Sequence, residues 1–438
     1  MIAEELLVAL SPGPGVDEYM ARAVELAGTV PSSARDPGLI QRVGVLGAGT
    51  MGRGIAMAFA QTGREVILAD PSAEVLAEAK AHLSGLAGRQ LSKGRLDALG
   101  HEALLARFTY CSGVASFSGV DMVVEAVPEI MDLKQQVMGQ IEQAVRSDAL
   151  IATNTSTLDI DGIAQGLQKR DRFIGTHFFV PAQVNRLLEV IPAHSTAPET
   201  LATIMALALD LGKQAVVAAN GDGFIGNRLF DRFHQEAMYL VEEGAQPEEV
   251  DAALEQWGMA IGPFRALDLV GNDIPWGVRK QRAQRQEPPF QPRIGDALCE
   301  AGWFGQKTGR GWYLYDQATP KGRPYEDARA LAQKVSRELG ITRRRIDQAE
   351  IIGRCLTALI VEGKAMLAEG RASRASDIDM VYVAGYGFPA AFGGPMRIGE
   401  ALGLDSVLDL ARHYGQISGR GETAWALPKA LPTEEVVK

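Results

Sequence analysis

The chain has little of what builds a disulfide scaffold, a membrane span or a nucleic-acid clamp. Three cysteines occur in 438 residues: Cys111, Cys299 and Cys355, far apart and in no paired or metal-binding spacing. That pattern speaks against a disulfide framework and against a cysteine-based metal centre, and it makes a reducing cytoplasm the expected compartment. No metal site is expected. No apolar run approaches the roughly 20 residues of a membrane-spanning helix, so no membrane insertion is expected. The N-terminus shows no basic segment followed by an apolar one, so no signal peptide is expected. Basic residues are in deficit, with 44 Lys and Arg against 54 Asp and Glu and a formal charge of -10. Nucleic-acid binding needs a basic surface and is therefore not expected. A small phosphorylated ligand, which needs only a few local donors, stays open.

What is present is ordinary for a globular chain with a sizeable core: 46% hydrophobic and 22% charged residues. The length suits about three domains at roughly 150 residues each. Residues 1–39 hold one short helical pattern, about Val16 to Ala27, and then the Pro/Ser/Gly stretch Pro31 to Gly38, which reads as a linker or N-terminal extension. From Arg42 the texture changes. Val43-Gly44-Val45-Leu46 reads as a strand, Ile55 to Gln61 as a helix, Glu65 to Asp70 as a second strand, and Ala73 to Phe108 as helix-rich. Strands return at Met122–Ala126, Leu150–Thr153, Phe173–His177 and Leu188–Ile191. Nearly all-apolar strands alternating with helices predict a Rossmann-type, doubly wound α/β domain over about 40–220, with a parallel sheet covered on both faces.

After about Asn220 the pattern becomes helical, and two stretches look like copies. The first reads Val241-Glu242-Glu243-Gly244, then Glu249-Val250-Asp251, then Gly262-Pro263-Phe264. The second reads Leu367-Ala368-Glu369-Gly370, then Asp377-Ile378-Asp379, then Gly394-Pro395-Met396. Three elements in the same order predict two related all-α domains, 221–316 and 346–438, joined by a charged linker over 317–345.

The motif Gly47-Ala48-Gly49-Thr50-Met51-Gly52 stands directly after a buried strand and directly before a helix. Gly47 permits the tight turn, Gly49 lets a pyrophosphate approach the backbone, and Gly52 allows close helix–strand packing. The helix N-terminus offers N–H groups and the positive end of the dipole to the phosphates. Asp70, at the end of the second strand, offers a carboxylate to ribose hydroxyls and repels a 2′-phosphate. NAD is therefore favoured over NADP, although FAD shares the glycine fingerprint.

Six histidines occur, and His177 closes a strand in Gly175-Thr176-His177-Phe178-Phe179. Carboxyl ends of strands face the ligand crevice in open α/β sheets, which places His177 beside the reactive end of the cofactor. Glu189 lies near the end of the next strand, inside Leu187-Leu188-Glu189-Val190-Ile191. A carboxylate within an apolar run is costly unless paired, and a carboxylate-held imidazole is the usual general base near neutral pH. Asn154-Thr155-Ser156-Thr157 follows another strand end, where small polar groups suit either a substrate oxygen or a helix cap. Asn227 opens the helical region and must find a partner or face a cleft.

With these residues in view, the sequence resembles the L-3-hydroxyacyl-CoA dehydrogenase family. It is most similar to the dehydrogenase part of the peroxisomal-type multifunctional enzymes of fatty-acid β-oxidation. The resemblance runs from about Gln41 to about Gly415. It is carried by the glycine motif, Asn154-Thr155-Ser156-Thr157-Leu158, His177-Phe178-Phe179, Leu188-Glu189-Val190-Ile191-Pro192, Gly223-Phe224-Ile225-Gly226-Asn227-Arg228 and Phe304-Gly305-Gln306-Lys307-Thr308-Gly309-Arg310-Gly311-Trp312-Tyr313. It implies an acyl-CoA thioester substrate, with His177 as acid/base, Glu189 as its partner, Ser156 bonding the substrate hydroxyl or the histidine, and Asn227 helping to hold the reacting group. Cofactor contacts are implied at Gly47, Gly49, Thr50, Met51, Gly52, Asp70, Ala126, Glu129, Lys134 and Asn154. Lys80 and Lys93 are implied at the coenzyme A phosphates.

Two positions depart from the family pattern. Val180 stands where Asn or Ser often follows His-Phe-Phe, which puts cofactor affinity or acyl preference in doubt, and Asn185 replaces a usual methionine. Only 39 residues precede the cofactor domain, too few for the upstream hydratase/isomerase domain of the multifunctional relatives, so hydration of enoyl-CoA is not expected. Single-repeat relatives pair their helical domains between subunits. Two copies in one chain predict a monomer, with a dimer or association with other β-oxidation enzymes as alternatives. A non-catalytic NAD- or CoA-binding protein, or a dehydrogenase of a non-CoA hydroxy acid, also stays open.

Overall fold

The computed structural model describes residues 12–30, 33–284, 292–420 and 425–426. They fall into two compact units. One comprises Glu18–Asn227 with Gly370–Gly385; the other is built from Arg228–Glu369 and the described residues from Tyr386 onward.

The first unit is organised by an eight-stranded sheet in the order β3-β2-β1-β4-β5-β6-β7-β8. Its strands are β1 (Arg42–Leu46), β2 (Glu65–Ala69), β3 (Phe108–Cys111), β4 (Met122–Glu125), β5 (Leu150–Thr153), β6 (Phe173–Phe178), β7 (Leu187–Pro192) and β8 (Gln214–Val217). β1 to β6 run parallel, with order reversal between β1 and β4 marking the crevice where such sheets bind ligands. Helices Thr50–Gln61 and Pro198–Asp210 help cover it, burying Ile55, Phe59, Ile204 and Leu207 against Val45, Leu68, Val124 and Val190.

Three features differ from the sequence expectation. β3 is not among the expected strands: Phe108-Thr109-Tyr110-Cys111 is only four residues long and starts where the stretch read as helix-rich ends, after a helix closing at Ala106. β7 is antiparallel to β6, not parallel. The eight residues between them are too few for the dozen or more that a crossover needs, so the chain turns straight back. β8 then restores a parallel pairing beyond β7.

The expected helical repeats appear as helices in the same order. Gly226–Glu243, Pro247–Trp257 and Pro263–Val270 are matched by Gln348–Ala368, Ala375–Tyr386 and Pro395–Leu402. The Asp and Gly-Pro of the first copy have a shared cause. Asp251 accepts from Phe264 N (2.9 Å) and Arg265 N (3.0 Å), capping the helix that Pro263 starts. A Cβ on Gly262 would stand 2.4 Å from the Asp251 carboxyl carbon, so only glycine leaves room for that cap.

The stretch 346–438 does not form one body, because Gly370–Gly385 belongs with the sheet unit. There Ala372 makes an antiparallel bridge to Ala218, and Ala219 N donates to Arg371 O (3.0 Å), which satisfies backbone just beyond β8. The N-terminal extension is also engaged. Its helix Val16–Ala27 meets the same segment through Tyr19 Oη to Asp379 (2.6 Å) and Arg374 to Leu26 O (3.0 Å). The stretch 317–345, read as a linker, contains helix Glu326–Glu338, which buries Ala328, Ala332 and Val335.

Candidate active site

The glycine motif forms the turn between β1 and helix Thr50–Gln61. Gly47 sits at φ 101°, and a Cβ there would lie 2.5 Å from Ala126 O. A Cβ on Gly52 would lie 1.7 Å from Gly47 O. Both positions are closed to any side chain, whereas Gly49 faces open space. That open backbone at a helix N-terminus fits a pyrophosphate. Asp70 accepts from Ala48 N (3.0 Å) through Oδ2 and from Ser72 N (2.9 Å) through Oδ1. It therefore braces the loop, and each oxygen retains a lone pair for a ribose hydroxyl.

Deeper at the strand ends lies a buried polar chain. Glu125 closes β4 and accepts from Lys134 Nζ (2.7 Å), Val127 N (2.7 Å) and Thr153 Oγ1 (2.6 Å). Burial pushes the Glu125 carboxyl up from its ordinary range against these donors. Lys134 is fully buried and also reaches Val127 O, Asn154 O and the Glu129 carboxylate. Glu129 in turn accepts from Ser156 N (2.8 Å), Thr157 N (3.2 Å) and Thr155 Oγ1. One lysine thus ties the loop after β4 to the loop after β5. Asn154 Oδ1 accepts from Phe178 N (2.9 Å), fixing the end of β6 beside both.

His177 and Glu189 are direct cross-strand partners in the antiparallel β6–β7 pair. Nδ1 of His177 lies 2.7 Å from Glu189 Oε2, and both residues are buried. Neutral imidazole facing a carboxylate through Nδ1 carries its proton there, which leaves Nε2 as the base. The other carboxylate oxygen, Oε1, accepts from Ile225 N (3.1 Å) and Gly226 N (2.8 Å). Phe224, at φ 49°, bends the chain through the left-handed region just before those two donors. Such a conformation is uncommon for a bulky residue, and here it turns adjacent N–H groups onto one oxygen. Phe179 and Phe224 flank the imidazole, with centroids 4.3 and 5.8 Å away.

Asn227 Nδ2 donates to Ser156 O (3.3 Å), so these two residues also meet. Lys80 and Lys93 stand apart, on and at the end of helix Ala73–Ser92; Lys80 lies 5.9 Å from the Tyr110 ring centre. No hydrogen bond or ion pair joins either lysine to the His177 group among the described residues. Sequence reasoning missed Glu125 and the Ile225/Gly226 donors. Glu125 carried the same signal as Glu189, a carboxylate inside an apolar run.

Residues 42–221 match the family described as 3-hydroxyacyl-CoA dehydrogenase, NAD binding domain, and residues 223–315 match its C-terminal domain. The chain belongs to the 3-hydroxyacyl-CoA dehydrogenase family. Its cofactor is NAD, in keeping with the open Gly49 and with Asp70. The peroxisomal bifunctional enzyme of Homo sapiens is 41% identical over 397 residues, covering 86% of this chain and 54% of that protein. The chain thus spans about half the length of the curated relatives it matches. Among solved structures, 3-hydroxybutyryl-CoA dehydrogenase from Escherichia coli is similar at TM-score 0.76 and 27% identity, covering 89% of this chain and 97% of that one. (S)-3-hydroxybutyryl-CoA dehydrogenase from Ralstonia eutropha is similar at TM-score 0.60 and 34% identity, covering 64% of this chain and all of that one. The motif from Phe304 to Tyr313, shared in the family resemblance, is structural in this chain. It wraps Asp268, which accepts from Trp312 N (3.0 Å) and Tyr313 N (2.9 Å), and a Cβ on Gly311 would lie 2.1 Å from that carboxylate.

Proposed function

We propose that the chain interconverts (S)-3-hydroxyacyl-CoA and 3-oxoacyl-CoA: (S)-3-hydroxyacyl-CoA + NAD⁺ ⇌ 3-oxoacyl-CoA + NADH + H⁺. The observation that carries this reading is the His177–Glu189 pair, 2.7 Å apart at the carboxyl end of β6. Nε2 of His177 takes the 3-hydroxyl proton while C3 is oxidised, and Glu189 stabilises the imidazolium that forms. Bound NAD supplies the two-electron acceptor for C3. The Ile225 and Gly226 N–H groups hold Glu189 in place, so the base does not reorganise as charge develops. Ser156 and Asn227, already in contact, position the oxygen on C3. Gly47, Gly49, Thr50, Met51, Gly52, Asp70 and Ala126 hold the dinucleotide, with Glu129, Lys134 and Asn154 shaping the floor beneath it. Lys80 and Lys93 meet the phosphates of coenzyme A.

The purified chain should oxidise NADH on acetoacetyl-CoA. His177→Gln should lose most of that rate and still bind NADH; an unchanged rate would sink the role given to His177. NADH binding without turnover on any acyl chain length would favour a non-catalytic protein. Turnover of a free hydroxy acid with no binding of thioesters would move the substrate away from CoA.

The two helical copies cover one another within one chain, so the proposed solution state is a monomer. Light scattering that gives a dimer overturns it. The limits 40–220 are proposed for the dinucleotide domain, and 221–316 and 346–438 for the two copies of a duplicated helical half, the second of which lends Gly370–Gly385 to the sheet unit. The cytoplasm is proposed as the compartment on the strength of three thiols that form no disulfide. Fractionation that finds the protein in an organelle overturns that assignment.

A further inference from the structure

The turn between β6 and β7 starts two residues after His177 and carries exposed Val180 and Val184 on its outside. Its inner side is fastened by one residue from another strand. Lys213 immediately precedes β8, whose Gln214 N donates to Arg186 O (2.7 Å) at the start of β7. From there the buried Lys213 Nζ reaches across to Ala182 O (2.5 Å) and Asn185 O (2.6 Å). No carboxylate pairs with Lys213 among the described residues, and burial pushes its amine down to about 8.

On its other side the turn meets the dinucleotide helix. A Cβ on Gly54 would lie 3.2 Å from Ala182 Cβ and 3.0 Å from Gln183 Oε1. Gly54 is one turn beyond the glycine loop, in helix Thr50–Gln61. Ala182 is therefore held between the Lys213 ammonium and the helix whose N-terminus faces the cofactor phosphates. A buried ammonium without a counter-charge is a costly fastening. An apolar chain of the same length would fill the space but leave two carbonyls unsatisfied and the turn free to shift.

We propose that Lys213 is a positioning residue for the cofactor, fixing the Phe179–Arg186 turn against the dinucleotide helix so that the wall beside His177 is preformed. This rests on the dinucleotide reading of the glycine loop. Lys213→Met should raise the NADH Kd about tenfold or more, read by fluorescence titration of the full chain at a temperature where the variant is folded by circular dichroism. Lys213→Arg keeps a cationic donor fork and should return the Kd to within about threefold of wild type, which a packing defect alone would not produce. If the Met variant does not fold, Lys213→Gln, whose shorter arm cannot reach both carbonyls, carries the same expectation. An unchanged NADH Kd in the folded Met or Gln variant overturns the proposal while leaving the dehydrogenase reading intact. Failure of the wild-type chain to bind NADH overturns both.

Discussion

Arg228 and Arg354 hold equivalent places in the two copies of the long helix, and each grips the glutamates of the other copy. Arg228, in Gly226–Glu243, pairs with Glu362 (2.5 Å) and Glu369 (2.5 Å) of Gln348–Ala368. Arg354, in Gln348–Ala368, pairs with Glu236 (2.6 Å) and Glu243 (2.6 Å) of Gly226–Glu243. The intervals from Arg228 to Glu236 and Glu243 equal those from Arg354 to Glu362 and Glu369. Reciprocity of this kind is the mark of a two-fold, self-complementary contact, here made by two copies inside one chain. Arg420 and Arg232 join Arg354 around Glu236, and against the effect of burial these three charges, Arg354 foremost, hold its carboxyl down at about 2.

Equivalent place does not mean equal weight. The Arg354 and Glu236 side chains are wholly buried, whereas Arg228 is 24% and Glu369 46% exposed. Removing one member of a buried pair leaves an uncompensated charge and costs about 3–5 kcal/mol, while exposed pairs are worth about 0–1 kcal/mol. Arg354→Met should lower the urea unfolding midpoint far more than Arg228→Met. Equal losses would show that burial does not separate the two halves of the pattern.

Glu189→Gln keeps the shape of the site but changes which nitrogen holds the proton. The amide oxygen stays with the Ile225 and Gly226 N–H groups, so the amide NH₂ faces His177 Nδ1. Nδ1 must then accept, and the proton moves to Nε2, where the base is needed. A wrong tautomer of this kind costs about 10³–10⁴ in rate. Stopped-flow oxidation of (S)-3-hydroxybutyryl-CoA by NAD⁺, the direction in which Nε2 must take a proton, should fall by about that factor while NADH binding is unchanged. A loss under tenfold would mean that Glu189 does not set the tautomer.

Legibility followed the kind of signal each residue carried. Gly47 to Gly52 and the strand before it were readable because the constraint is steric and local. His177 with Glu189 was readable because a charge in an apolar run demands a partner; Glu125 met the same test and was passed over. Antiparallel β7 was implicit in the short connection from β6, but apolar strands look alike in either direction. The Ile225 and Gly226 donors depend on the Phe224 backbone, and no residue type announces φ 49° at a phenylalanine. Lys213, in Leu211-Gly212-Lys213-Gln214, reads as a solvated turn lysine until the strand beside it is known. The duplicated half was visible as a repeat, but its reciprocal ion pairs needed two helices in three dimensions.

Asp70 braces the loop by accepting from Ala48 N and Ser72 N, and its proposed second role, repelling a 2′-phosphate, should separate from the first on replacement. Asp70→Asn keeps an acceptor and removes the charge. The KM for NADH should rise severalfold, and the ratio of kcat/KM for NADPH over NADH should rise by about tenfold or more, since a single removed repulsion is worth about 1–2 kcal/mol at partly exposed sites. Steady-state kinetics with both coenzymes reads the ratio directly. An unchanged preference would leave Asp70 as a brace alone.

Asp251 gives a pH signature with a definite sign. Burial outweighs its three donors, Tyr313 Oη, Phe264 N and Arg265 N, and pushes its carboxyl up to about 7 from an ordinary 3.8. Below pH 3.8 the group is neutral in folded and unfolded chains, and it shifts no equilibrium. Between 3.8 and about 7 the unfolded chain ionises while the folded chain keeps its proton, so stability falls as pH rises. Above about 7 both forms are ionised and the full cost persists. The slope is at most about 1.4 kcal/mol per pH unit for one proton. Asp251→Asn cannot titrate, so the wild-type minus variant difference in urea stability should decline between pH 5 and 7 and level off by pH 8. The Asn side chain weakens the cap and lowers stability at every pH, which moves the level of that difference but not its slope. A flat difference across the window would mean that the cap donors, not burial, decide the charge on Asp251.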